Sequence, residues 1–233
     1  MPLQIIVGAQ WGDEGKGRIV DWLTAAADLV ARYNVGDNAG HSVNVGGRLF
    51  KLHIVPSGII HPHPVAVLGS GMVINPASLF DEIDTLSAGG IRVTPERLRI
   101  SHAAHLITRA HQALDKAIER VRSKASIGTA GRGIGPAYTD KAARRGLRIA
   151  NMLEPGFNDR LGEHLDGSNQ YLSMYGSTMV NPVPVMEAYR RYAARIAPFV
   201  ADTSAEVSGA LTAGQKVLAE AAQGTLLDLD HGT

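Results

Sequence analysis

The residues best suited to chemistry lie near the N-terminus, in the segment Gly8-Ala9-Gln10-Trp11-Gly12-Asp13-Glu14-Gly15-Lys16-Gly17. A short apolar run precedes this segment, and the apolar stretch Arg18–Leu23 follows it. Glycines allow successive backbone N–H groups to face one anion, a helix N-terminus adds its positive dipole end, and Lys16 adds a point charge. The pattern predicts a phosphate-binding loop between a strand and a helix.

The loop departs from the usual phosphate-binding pattern at one position. Gly17 follows Lys16, where a Ser or Thr usually holds magnesium. Asp13 places a carboxylate inside a loop that would hold an anion, so we expect it to act either as a magnesium ligand or as a base. A merely tight turn is the alternative, but the four glycines and the lysine exceed what such a turn requires.

A second glycine-containing loop, Asn34–Ser42, follows the second apolar run. Because ligands bind at the carboxyl ends of parallel strands, we expect this loop to lie beside the first one. His41 lies among its glycines, and we expect it to donate to a phosphate or to act as a general acid near neutral pH. The alternative is a surface histidine without a chemical role.

A third loop, Ile127–Pro136, combines glycines with Thr129 and Arg132, and the basic run Lys141–Arg145 follows it. Arginine forks suit phosphate monoesters, so this region is a second candidate for anion binding. The alternative is an ordinary turn followed by a solvated helix face.

Short histidine spacings occur at His61-Pro62-His63 and at His102, His105 and His111. They do not favour a metal site, because Pro62 and the lack of a nearby third acidic ligand are typical of turns and helix surfaces.

These loops need a scaffold, and the alternation of short apolar runs with longer amphipathic stretches predicts an α/β fold with a mostly parallel sheet flanked by helices. The predicted strands are Gln4–Gly8, Leu29–Tyr33, Val65–Gly69, Arg97–Ser101 and Lys216–Glu220. The predicted helices are Gly15–Ala27, Pro76–Ala88, Ala104–Lys124, Thr139–Arg145 and Val183–Phe199. Gly46-Gly47 predicts a small antiparallel hairpin, and glycines and prolines between Glu154 and Pro184 predict a linker or flap.

Composition excludes several function classes. Of 233 residues, 45% are hydrophobic and 19% are charged, so the chain is expected to fold as one α/β domain over residues 1–233. The 23 basic and 22 acidic residues provide no overall field for nucleic acid or a membrane surface. No cysteine is present, which excludes thiol chemistry and fits a cytoplasmic protein, and no apolar run reaches the roughly 18 residues of a membrane span.

Six motifs, taken in their order and spacing, resemble the adenylosuccinate synthetase family. The motifs are Gly8–Gly17, Asn38–Ser42, Leu52–Gly58, Gly128–Tyr138, Ala143–Arg148 and Ala222–Asp228. The resemblance covers the whole chain, more loosely from Met152 to Gly214. It implies a GTP- and Mg²⁺-dependent ligase of purine nucleotide synthesis that joins L-aspartate to inosine monophosphate (IMP), releasing GDP and phosphate.

The resemblance also implies roles for individual residues. Asp13 matches the base that removes the purine N1 proton, and His41 matches the acid that assists phosphoryl transfer; Lys16 and Gln223 complete the expected catalytic set. The residues matching the GTP site are Gly12, Asp13, Glu14, Gly15, Lys16, Gly17, Gly40, His41 and Ser42. Those matching the IMP site are Asp13, Lys16, Asn38, Ala39, Gly40, His41, Thr129, Ala130, Arg144 and Gln223.

Two further expectations follow from the family's pattern. Asp13 and the Gly40 carbonyl match its magnesium ligands. Arg144 matches an arginine that reaches the partner subunit's IMP, which implies a homodimer.

The sequence departs from the family pattern at three positions. Ala130 stands where the family has a threonine expected to contact the 5′-phosphate, and Thr129 is a possible substitute. Ser42 replaces a threonine and keeps the hydroxyl, whereas Ala221 replaces a glycine near Gln223.

The largest departure is the end at Thr233, before the family's guanine- and aspartate-recognition segments. Only thirteen residues follow Glu220, without a crossover helix, so an incomplete chain with little synthetase activity of its own is expected. The alternatives are a non-catalytic purine-nucleotide-binding fragment that dimerises or needs a second chain, and a generic GTPase. The GTPase is disfavoured because no Asn-Lys-x-Asp motif occurs.

Overall fold

The computed structural model describes residues 2–12, 14–45, 47–122 and 128–233. The strands in these ranges are β1 (Leu3–Gly8), β2 (Leu29–Val35), β3 (His41–Val45), β4 (Arg48–Leu52), β5 (Val65–Ile74), β6 (Leu98–Ser101), β7 (His105–Leu106), β8 (Val200–Ala201) and β9 (Val217–Gly224). The α-helices are α1 (Lys16–Thr24), α2 (Pro76–Ala88), α3 (Arg109–Arg122), α4 (Ile134–Ala142), α5 (Phe157–Met174), α6 (Pro182–Ile196) and α7 (Thr203–Thr212).

The chain divides into two compact units. The first contains Met1–Met72, Ala77–Ala104 and Pro198–Thr233, and the second contains Val73–Pro76 and His105–Ala197. The described helices include none that is both long enough and apolar enough to cross a membrane.

The first unit is built on a sheet with the strand order β1-β9-β2-β5-β6-β8. Every neighbouring pair along this order is parallel. The predicted α/β fold with a mostly parallel sheet is therefore confirmed, and all five predicted strands are present. The predicted hairpin is also confirmed, because β3 pairs antiparallel with β4 and Val45 lies opposite Arg48; Gly46 lies outside the described residues.

Helix α1 is held on the sheet by its apolar face. Val20 is fully buried and clusters with Val30 of β2 and Leu218 of β9, and Leu23 packs against the same cluster. Burying each such side chain contributes roughly 1.5–3 kcal/mol. This packing fixes the N-terminus of α1, and with it the glycine-rich loop, at the carboxyl end of β1.

In the second unit two predicted helices have different bounds. The helix predicted over Ala104–Lys124 begins only at Arg109, because β7 comes first and pairs with Val73 and Ile74. Thr108 then accepts a hydrogen bond from the His111 amide at 3.3 Å, which caps the helix start. The helix predicted over Thr139–Arg145 runs from Ile134 to Ala142 instead, since the left-handed Gly133 starts it and Arg144 has a positive φ of 60°.

The prediction of a linker or flap over Glu154–Pro184 was wrong. Helix α5 fills most of this segment and buries Phe157, Leu161, Leu165, Ser168 and Leu172 on one face. The glycines at 162 and 167 lie inside the helix, where the spacing of the apolar residues outweighs the modest cost of glycine. Helix α7 was not predicted at all.

Candidate active site

A cleft of about 640 Å³ opens in the first unit where β1 and β9 end. Its lining combines the first two predicted loops with the end of β9: Trp11, Gly12, residues 14–18, residues 38–42, Ala222, Gln223 and Leu227. The structure therefore brings together most of the sequence-predicted residues of this unit. Asp13 lies outside the described residues.

The end of β9 is fastened to the glycine-rich loop. A Cβ atom on Gly224 would lie 2.0 Å from the Gln10 carbonyl oxygen and 2.5 Å from the Gly12 nitrogen, so only glycine permits this approach. Beyond it, Thr225 Oγ1 donates to the Gly8 carbonyl at 2.7 Å, and the Leu226 amide donates to the Gln10 carbonyl at 3.0 Å. The Gln223 segment is thereby fixed beside a loop more than two hundred residues earlier in the chain.

The glycine-rich loop holds a carboxylate of its own. Glu14 Oε1 accepts hydrogen bonds from the Gln10 and Gly12 amides, both at 3.0 Å, and Glu14 Oε2 accepts one from Lys16 Nζ at 2.9 Å. The Lys16 ammonium and the loop amides lower the pKa of Glu14 to about 2. Two loop amides and a lysine thus converge on one anionic group, which is what a phosphate-binding loop must offer.

The imidazole of His41 contacts a buried carboxylate. Its Nδ1 contacts Oε1 of Glu220, and it also lies 3.1 Å from Ser57 Oγ. Glu220, in β9, is fully buried and accepts the Ser57 amide at 3.0 Å and the Ser57 hydroxyl at 3.2 Å. Burial raises the pKa of Glu220, but the hydrogen bond and charge of His41 outweigh it and hold the pKa below its usual value.

Neither Glu220 nor Ser57 was identified from the sequence. The available signal was a single acidic residue in the run Val217–Ala222, whose other residues are all apolar. A charge at a buried strand position requires a partner, which is a reason to search for one.

The segment that carries Ser57 is fixed from two sides. Glu82 of α2 accepts the amides of His53, Ile54 and Val55 at 2.9–3.1 Å. The buried Arg32 donates to the carbonyls of His53 and Ile54. A segment whose amides and carbonyls are both taken by buried charges has little freedom to move, so Ser57 is held in place.

Gln223 and Gly40 are two further predicted residues that line this cleft. Gln223 Nε2 donates to the Leu227 carbonyl at 2.7 Å, so its amide is oriented within the end of β9. No described residue donates to the Gly40 carbonyl, and a Cβ on Gly40 would meet nothing within 4 Å. A carbonyl oxygen that accepts from no described donor, together with a carboxylate, is a donor set that fits Mg²⁺.

The third predicted loop and Arg144 lie in the second unit. Asp115 of α3 ties this loop down, because it accepts the Thr129 hydroxyl at 3.0 Å and the Gly133 amide at 2.9 Å. Thr129 therefore already uses its hydroxyl proton, whereas Ala130 has none to offer. Arg144 lines a separate cleft of about 500 Å³ within this unit. Asp115 was another residue that the sequence reasoning missed.

His111, Asp140 and His164 form a polar cluster in the second unit, with ligand atoms within 4.8 Å of one another. The Thr108 amide donates to His111 Nδ1 at 3.0 Å, so the neutral ring carries its proton on Nε2, which faces Asp140 Oδ2 at 3.0 Å. Arg145 Nε donates to the other carboxylate oxygen at 2.7 Å. Because these atoms already satisfy one another, the cluster is a hydrogen-bond network and a poor cation site.

The pKa values of this cluster are strongly shifted. Burial works against the charge of Asp140, but the hydrogen bonds from His111 and Arg145 outweigh it and lower its pKa to about 2. Burial and the neighbouring His111 lower the pKa of His164 to about 4.

Fold and site together define an α/β protein with a glycine-rich, lysine-bearing loop at the carboxyl edge of a parallel sheet. The family model of adenylosuccinate synthetase matches residues 5–233. The chain belongs to the adenylosuccinate synthetase family.

Individual relatives agree with this assignment. The chain is similar to the adenylosuccinate synthetase of Clostridium acetobutylicum, with 46% identity over 98% of this chain and 54% of the relative. It is 49% identical to that of Frankia casuarinae, over 100% of this chain and 55% of the relative. The fully ligated adenylosuccinate synthetase of Plasmodium falciparum superposes with a TM-score of 0.89 at 33% identity, over 99% of this chain and 53% of that one. The chain spans about half the length of these relatives.

Proposed function

We propose that the cleft of the first unit takes part in the GTP-dependent ligation of L-aspartate to IMP, giving adenylosuccinate, GDP and phosphate. The observation that carries the proposal is the convergence of Lys16, the loop amides and His41 on one cleft at the sheet edge. The family membership supports the purine substrate and favours an enzyme over a non-catalytic nucleotide-binding fragment.

In the proposed reaction Asp13 removes the N1 proton of IMP, and the resulting 6-oxyanion attacks the γ-phosphorus of GTP. Lys16 and the amides around Gly12 and Gly15 neutralise charge on the transferring phosphoryl group, and His41 donates a hydrogen bond to it. The aspartate amine then displaces phosphate from C6. Catalysis of this kind depends mostly on positioning and charge neutralisation.

We assign Mg²⁺ to Asp13 and the Gly40 carbonyl, with Gly17 and Ser42 beside the GTP phosphates. Bound there, the ion would neutralise phosphate charge. Asn38, Ala39 and Gln223 are assigned to IMP from within the same cleft.

Thr129, Ala130 and Arg144 are assigned to the 5′-phosphate of IMP, Arg144 acting across a homodimer. Their support is the match to the family's motifs. We place the protein in the cytoplasm, which the lack of cysteine fits.

Two measurements test the proposal. Calorimetry with GTP should show magnesium-assisted binding that Lys16→Ala abolishes and that Lys51→Ala, at an exposed position on β4, leaves unchanged. An assay with GTP, Mg²⁺, IMP and aspartate should then show adenylosuccinate formation, slow as expected for this chain, that Asp13→Asn abolishes. If the chain takes up no GTP, or if Asp13→Asn changes affinity without changing turnover, the proposed reaction is wrong.

A further inference from the structure

We infer that Glu220 is the positioning residue of the site: it fixes the tautomer of His41 so that Nδ1 keeps its proton and Nε2 is the atom presented to the reacting phosphate. The inference rests on the proposed function, which gives His41 a role in phosphoryl transfer. Glu220 itself acts through His41.

The hydrogen-bond pattern around Glu220 determines which nitrogen of His41 carries the proton. Glu220 accepts the Ser57 amide on Oε2 and the Ser57 hydroxyl on Oε1, and His41 Nδ1 contacts the same Oε1. An ionised carboxylate can only accept hydrogen bonds. His41 Nδ1 must therefore donate, and the neutral ring carries its proton there.

A histidine held in this way has a defined chemical state in the cleft. With Nδ1–H directed at Glu220, the neutral ring has a bare Nε2, which can only accept. His41 can donate from Nε2 only as the imidazolium, whose positive charge lies against a buried carboxylate. The side chain of His41 is only 8% exposed and its Nδ1 faces Glu220, so Nε2 is the ring nitrogen left to face a ligand in the cleft that His41 lines.

The Glu220 carboxylate can orient His41 because its own position is fixed. It is fully buried in β9, a strand paired on both sides with β1 and β2. Ser57, its second partner, is carried by the segment that Glu82 and Arg32 hold. Glu220 and His41 resemble the carboxylate and imidazole of a catalytic triad, where the carboxylate orients the ring. Loss of the carboxylate there changes the tautomer of the ring more than its position.

Glu220→Gln tests the inference with little change in shape. The Ser57 amide requires an oxygen at the Oε2 position, so the new NH₂ group faces His41 Nδ1 and donates to it. The substitution should convert neutral His41 from the Nδ1–H to the Nε2–H tautomer. Ser57→Ala is the matched control, because it removes a hydroxyl but keeps the carboxylate, and it should retain the Nδ1–H form.

The readout is the long-range ¹H–¹⁵N spectrum of the histidine rings at alkaline pH, with the His41 signals assigned by their loss in His41→Gln. Circular dichroism checks that Glu220→Gln is folded. If it is not folded, the inference is tested by whether His41 has the Nδ1–H tautomer in the wild type and in Ser57→Ala. Turnover is measured in parallel, and Glu220→Gln should lower kcat by roughly 100-fold or more while leaving the KM for GTP unchanged.

The outcomes separate this inference from the proposed function. A wild-type His41 in the Nε2–H form, or a tautomer that Glu220→Gln leaves unchanged, overturns the inference whether or not the chain turns over. A converted tautomer with unchanged kcat also overturns it, since the orientation would not matter to the reaction. If His41 has the Nδ1–H tautomer but the chain neither binds GTP nor forms product, the proposed function is wrong. Such a result still establishes that Glu220 fixes the tautomer of His41.

Discussion

Gly17 of α1 lies directly against the imidazole of His41. A Cβ atom at residue 17 would be 3.0 Å from His41 Cβ and 3.1 Å from His41 Cγ, closer than ordinary van der Waals contact. This contact explains why the loop departs from the usual pattern of a Ser or Thr after the lysine: the space for that side chain is filled by the histidine ring.

Gly17→Ala is therefore expected to destabilise the protein although it adds a good helix former. Crowding against a fixed side chain costs about 1–3 kcal/mol, which exceeds the ~0.5–1 kcal/mol that Ala gains over Gly in a helix. Gly209→Ala in α7 is the matched control, since a Cβ there would meet nothing within 4 Å. Urea denaturation should give a lower free energy of unfolding for Gly17→Ala and a higher one for Gly209→Ala; equal gains in both would refute the crowding.

Glu14→Gln is expected to tighten the binding of GDP and Mg²⁺ severalfold. The amide oxygen can still accept the Gln10 and Gly12 amides, so the loop keeps its shape, but Lys16 no longer faces a competing negative charge. Calorimetry at low ionic strength measures the change. Asp81→Asn, at an exposed position on α2, removes one charge from the same unit as a control; equal effects of the two variants would show that only net charge matters.

The phosphate loop and the parallel sheet could be predicted because their signals are local. Glycines and Lys16 next to an apolar strand define the loop, and short apolar runs define the strands. Glu220 and Ser57 could not be paired in this way, since 163 residues separate them and only the strand order brings them together. The contact between Asp115 of α3 and Thr129 could not be predicted either, because the two residues lie in different elements.

Ala130→Thr is expected to strengthen IMP binding by roughly 10- to 150-fold, the equivalent of a hydrogen bond to a charged group. Thr129 already donates its hydroxyl proton to Asp115, so it cannot supply the hydrogen bond to the 5′-phosphate of IMP that Ala130 lacks. Calorimetry with IMP measures the affinity, and Ala130→Val adds the same shape without the hydroxyl. If the valine variant binds IMP as well as the threonine variant does, the hydroxyl is not the missing group.

The buried histidines of the second unit are expected to make stability fall as the pH drops from about 6.5 to about 4. In this window folded His164 and His105, each with a pKa lowered to about 4 from the ordinary 6.5, stay neutral. The unfolded chain, by contrast, binds protons at both positions. The unfolded state then holds more protons than the folded state, so stability rises with pH.

His164→Gln should remove part of this dependence. Gln can still bond Thr108 Oγ1, which lies 2.9 Å from His164 Nε2, but it does not titrate. The slope of unfolding free energy against pH should decrease by up to one proton, or about 1.4 kcal/mol per pH unit, while His105 keeps its share. Urea denaturation across this range measures the slope, and the exposed His102→Gln is the control. An unchanged slope in His164→Gln, or an equal decrease in His102→Gln, would show that His164 is not the group responsible.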